Sequence, residues 1–155
     1  MFWGESFVSE LLDDIRNSTG KTFDQAQVRM MHPLVLAYVG DTVYDLFVRT
    51  YLIHTYDIPV HQLHMKSISF VKAGSQSETL HDIDELLTEE EKYIVRRGRN
   101  AKSGTIPKNA DVTEYRWATG FESLLGYLYL TGQEERLCEI LRFVLDTRQQ
   151  KEKPV

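Results

Sequence analysis

The stretch "PLVLAYVGDTVYDLFVRTYLI" (residues 33–53) decides the fold. Its apolar residues recur at helical spacing, and proline opens it at the first helical position, where the missing N–H is no loss. It reads as a long core helix. The length would also suit a membrane span, but Asp41, Asp45 and Arg49 in its midst make insertion costly. The two aspartates stand one helical turn apart, beside core formers such as Leu34, Leu36, Val39, Val43, Leu46 and Phe47. An unpaired buried carboxylate is expensive, so each must find a partner. Arg49 is one candidate partner for Asp45, a solvated edge another and a metal ion a third. Gly40, just before Asp41, leaves room where something bulky must approach, at a helix-propensity cost of roughly 1 kcal/mol.

The helical period continues on both sides. Phe7, Val8, Leu11, Leu12 and Ile15 form one stripe of a short helix ending in "NSTG", and a second helix spans 23–32. Helices are expected over about 60–73, 76–87 and, from the capping box Thr88-Glu89-Glu90-Glu91, to Gly98. "GRNAKSGTIPKNADV" (98–112) has turn residues and no apolar stripe, so it reads as a loop. An apolar helix then runs over 113–130 and a final one over 134–147, with "RQQKEKPV" (148–155) read as a frayed tail. No strand pattern appears. An all-α single domain is expected, long enough at 155 residues for a real core. One cysteine excludes an internal disulfide and fits a reducing cytosol; Cys138 reads as packing. The acidic N-terminus is not a secretion signal, and the reading is cytoplasmic.

Glu122 repeats the puzzle of the aspartates. It lies among Phe121, Leu124, Leu125 and Leu128, with no Lys or Arg three or four places away. Two core-type helices that each carry a stray acid point to acids that meet. Converging carboxylates need a cation, and hard oxygen ligands suit Mg2+ or Mn2+. Between the two helices, residues 92–116 hold seven Lys/Arg against two acids, an excess of +5 on a chain of net charge -5. A basic island on an acidic protein points to a polyanion.

These residues are also recognisable. "LAYVGDTVYDLFVR" resembles the signature helix of the ribonuclease III family, and "TGFESLLGYLYL" its second acidic motif. "RRGRNAKSGTIPKNADVTEYRWAT" between them is similar to Mini-ribonuclease III, the compact branch that consists of the catalytic domain without a double-stranded-RNA-binding domain. The resemblance covers about 31–145; the catalytic domain is placed at 31–147, and residues 1–30 read as an N-terminal helical extension. The resemblance implies that Asp41 and Glu122 are catalytic and hold Mg2+, with Mn2+ as a substitute and Asp45 as an outer ligand. It implies a homodimer that cuts double-stranded RNA by in-line attack of water, leaving a 5′-phosphate and a 3′-hydroxyl. Its cellular task would be maturation of 23S ribosomal RNA, with a ribosomal protein as a candidate further partner.

Two positions depart from the full-length family: its glutamate four before the aspartate is Ala37 here, and its aspartate three before the glutamate is Thr119. They keep alive an alternative, a catalytically weak RNA- or ribosome-binding helical dimer. For either reading Arg96, Arg97, Arg99, Lys102 and Lys108 are the expected RNA contacts, since A-form RNA is met mainly through phosphates and 2′-hydroxyls. The dipeptide His81-Asp82 resembles part of the metal set of HD phosphohydrolases but opens an acidic surface-like stretch, and Trp117, Tyr127 and Tyr129 read as packing.

Overall fold

The computed structural model describes residues 7–102 and 104–153. Every regular element among them is helical: α1 (Phe7–Thr19), α2 (Gln25–Met30), α3 (Pro33–Thr55), α4 (Val60–Val71), α5 (Ala73–Ile83) with a short 3-10 turn (Asp84–Leu86), α6 (Glu89–Asn100), α7 (Val112–Leu130) and α8 (Glu134–Glu152). The side chains of Phe7 and Val8 lie outside the described residues, so the expected α1 stripe is seen at Leu12, which is buried, while Leu11 and Ile15 are exposed.

The organising helix is α7. From Ala118 to Leu128 every residue except Glu122 is buried, as befits a helix that is apolar all round. It contacts α2, α3, α5, α6 and α8, and around it gather Leu36, Tyr44, Val48, Leu52, Leu80, Ile83, Ile94 and Ile140. Glycines set two of these crossings. Against α3, a Cβ on Gly40 would sit 2.8 Å from the Gly126 nitrogen and overlap the Glu122 carbonyl oxygen, and a Cβ on Gly126 would overlap the Leu36 carbonyl. Against α6, a Cβ on Gly98 would lie 2.9 Å from the Gly120 Cα, and one on Gly120 2.9 Å from the Val95 carbonyl oxygen. Because backbone atoms cannot swing aside, Gly126→Ala is expected to destabilise the protein by about 3 kcal/mol in urea unfolding, at the upper end of ordinary overpacking.

Capping residues fix several ends. Asp24 and Gln27 form a capping box that starts α2, two residues later than its apolar pattern begins, and Thr88 and Glu91 form the expected one on α6. Two readings are corrected. α8 continues to Glu152 rather than fraying after 147: the Arg148 guanidinium stacks 3.6 Å from the Phe70 ring centroid, and Lys151 bridges Glu78 and Asp82 at 2.6 and 2.7 Å. Cys138 is exposed rather than packed. The apolar α3 is covered on one face: Leu36, Tyr44, Val48 and Leu52 are buried, whereas Val35, Tyr38, Leu46 and Ile53 face outward. No helix among the described residues is long and apolar enough to cross a membrane.

Candidate active site

Because α3 and α7 cross at Gly40 and Gly126, the residue after Gly40 and the residue one turn before Gly126 are brought side by side. They are Asp41 and Glu122. Asp41 is exposed and Glu122 half-buried. Burial, then the Asp41 charge and a side-chain hydrogen bond with Asp41, push the Glu122 carboxyl up to about 8. A carboxyl raised that far keeps its proton at neutral pH when no cation is present, and the Glu122 O–H can donate to Asp41. A carboxyl raised in the folded state favours folding below its unfolded value near 4.5, and that contribution is lost as the pH rises through about 8. Stability of the protein in EDTA is accordingly expected to fall between those two pH values, with the fall flattened in Glu122→Gln; parallel thermal-unfolding profiles for the two proteins would contradict the raised Glu122 carboxyl.

The residues around the pair hold it by packing. Ala37 and Thr119 are both buried, one turn before Asp41 and Glu122 respectively, and the Thr119 hydroxyl donates to the Tyr115 carbonyl at 3.0 Å. Ser123, wholly buried, has its Oγ 3.0 Å from the Pro33 carbonyl and 2.8 Å from that of Thr119, joining α7 to the start of α3. Asp45 does not join the pair: it accepts an ion pair from Arg49 Nε at 3.0 Å, the first of the partners open to it. No group of three His, Cys, Asp or Glu side chains suited to a metal occurs among the described residues. Two carboxyls with a surplus of negative charge still fit a hard divalent cation, provided water completes its shell.

The basic residues divide. Arg97 is engaged within the fold, donating to the Arg29 carbonyl at 2.5 Å, beside the Arg29–Glu90 ion pair at 2.7 Å, and so fastens α2 to α6. Arg99 lies half-buried with its guanidinium 4.9 Å from the Trp117 ring, which also stacks on His81 at 4.4 Å. Arg96 is exposed but two residues from Gly98, hence on the side of α6 turned away from α7. Lys102 and Lys108 are exposed in the α6–α7 connection. Lys102, Arg116 and Thr119 share the lining of a cleft of about 320 Å³. Sequence reasoning counted Arg116 only in the basic total; its place on α7, one turn before Gly120, was the available signal. His81 pairs its Nδ1 with the Ser77 carbonyl at 2.7 Å.

The model of the ribonuclease III domain matches residues 34–133. The chain is 49% identical over 128 residues to a protein of Clostridium tetani called Mini-ribonuclease 3, spanning 82% of this chain and 85% of that one. A protein of the same name from Thermoanaerobacter sp. is 54% identical over 114 residues, 74% and 80% of the two chains. A crystal structure of a Fusobacterium nucleatum protein superposes with a TM-score of 0.70 at 31% identity, covering 78% of this chain and 97% of the other.

Proposed function

Because this chain belongs to the ribonuclease III family, in its Mini-ribonuclease III branch, it is a ribonuclease, and we propose that it is a cytoplasmic, Mg2+-dependent homodimer that cuts double-stranded RNA in the maturation of 23S ribosomal RNA. The observation that supports the reading is the meeting of the Asp41 and Glu122 carboxyls, joined by a side-chain hydrogen bond, across the α3–α7 crossing. Asp41 and Glu122 would hold the cation, with Mn2+ as a substitute. Bound there, the ion would supply Lewis acidity toward the attacking water and the charge building on the phosphodiester. The protein's part is to keep the two carboxyls together and to give up the Glu122 proton, because a carboxyl must be ionised to act as a ligand. The products are a 5′-phosphate and a 3′-hydroxyl. Adding Mg2+ at pH 7 to protein in weak buffer is expected to release close to one proton per chain, and none from Glu122→Gln; an indicator-dye titration reads this without any RNA.

Dimerisation is supported by the outward face of α3, where Val35, Tyr38, Leu46 and Ile53 fall on one stripe, with Val60 of α4 sharing a cleft with Ile53. A two-fold axis would bury that stripe against its own copy. Leu46→Glu is expected to halve the mass seen in sedimentation. For the RNA contact, Lys102 and Lys108 remain the best supported of the basic residues. Replacing either by Ala is expected to lower the slope of log affinity against log salt by about 1, whereas Arg97→Ala should lower thermal stability first.

Ala37, Thr119 and the want, among the described residues, of a third carboxylate beside the pair favour the second reading, a binder of RNA or of the ribosome with little catalysis. Incubating an end-labelled RNA duplex with the protein and Mg2+ decides: metal-dependent products support the nuclease, and tight binding without products in either Mg2+ or Mn2+ supports the binder. Repeating the assay with and without added ribosomal proteins would show whether one takes part.

A further inference from the structure

We propose that the cleft at the junction of α6 and α7 receives one unpaired base of the RNA strand being cut, which gives the protein a preference for duplexes interrupted by an unpaired nucleotide. The proposal rests on the ribonuclease reading. The cleft, about 320 Å³, is walled by Ala101, Ile106, Tyr115 and Thr119, with Lys102 and Arg116 also on its lining. Tyr115, Thr119 and Glu122 stand at i, i+4 and i+7, one face of α7, so the cleft continues the acid pair's side of that helix by one to two turns.

A regular duplex has nothing to put there. An A-form helix offers phosphates and 2′-hydroxyls and keeps its bases stacked inside, and neither belongs against the Ile106 and Ala101 side chains. A base left without a partner can swing out, and a recess with an aliphatic wall, an aromatic residue and a size near the lower bound of small-ligand sites suits its flat apolar faces. The two cations on the same lining suit the phosphates on either side of that nucleotide. This cleft joins an apolar recess, fixed positive charge and the Glu122 face of α7.

The test uses two labelled duplexes, identical except that one carries a single unpaired 2-aminopurine at the cut. The intact protein in Mg2+ is expected to cut the interrupted duplex roughly ten-fold faster, within what one stacked base contributes to binding. Filling the cleft with Ile106→Phe, or independently Ala101→Leu, should bring the ratio of the two rates to about one, with each variant first shown to unfold near the wild-type temperature. In EDTA the 2-aminopurine emission should change on binding the intact protein and change less with either variant. A wild-type ratio near one, or a ratio that survives both substitutions, overturns the proposal. Should neither duplex be cut while the emission still responds to the cleft, the nuclease reading falls and the base cleft stands.

Discussion

Cleavage of an RNA duplex in Mg2+ is expected to drop at least ~1000-fold in Glu122→Gln and equally in Asp41→Asn, with little loss of thermal stability. A thousand-fold loss corresponds to about 4 kcal/mol of barrier, the several kcal/mol that a bound metal contributes by stabilising charge. Glutamine keeps the shape of the side chain, and its amide can donate to Asp41 as the protonated carboxyl does. What it lacks is the second negative charge. Folding should therefore be spared and chemistry lost, the opposite of the outcome for Gly126→Ala. If the two carboxyls hold one ion together, each single substitution already empties it, and the double variant should be no slower than either. Rates that multiply, or products that persist in the double variant, would remove the shared centre.

The largest effect on stability is expected at Arg136→Leu, about 4 kcal/mol in denaturant unfolding. Arg136 reaches from α8 to the start of α6, where its Nε and Nη2 donate to the two oxygens of Glu91 at 2.8 and 2.9 Å and Nη2 also donates to the Leu86 carbonyl at 2.6 Å. Glu91 is 4% exposed and simultaneously caps its own helix through Thr88 at 2.8 Å. Burial pushes its carboxyl up, but Arg136 and Thr88 together hold it below the usual range. Removing the arginine leaves the burial and takes away the compensation. A carboxyl lowered in this way stabilises the fold above its unfolded value and ceases to do so as the pH falls through the folded one. The wild-type advantage over Arg136→Leu should therefore shrink in acid. Adding Glu91→Leu to the arginine variant should restore part of the stability; no recovery would mean that lost packing of the arginine stem, not the bare carboxylate, accounts for the effect.

The helices were legible because each carries its own period, and Asp41 and Glu122 were legible as acids that interrupt apolar faces. That they meet could be inferred from two such interruptions, since one alone has bland explanations; Asp45, with Arg49 one turn away, turned out to be such a case. Long-range partners chosen by tertiary packing stayed hidden. Nothing local says that Arg97 will serve the carbonyl of Arg29, 68 residues away, or that Arg148 and Lys151 will find Phe70, Glu78 and Asp82 and so make a polar tail helical. Leu46 and Ile53 look like core by composition, and only the position of α7 shows which side of α3 is covered. Gly40 announced a close approach, but that the approaching atoms belong to Glu122 and Gly126 needed coordinates.

The glycines along α7 have a mechanical consequence. A helix pressed against one neighbour through Gly126 and another through Gly120 behaves as a bolt indexed at two notches. Advancing it by a single residue would drive Leu125 or Tyr127 into the notch cut for Gly126, and turning it in place would collide with α6. The aim of the carboxyl at 122 is thus locked by places where side chains are missing, so drift in the surrounding apolar residues can alter how firmly the bolt is held while leaving where it points unchanged.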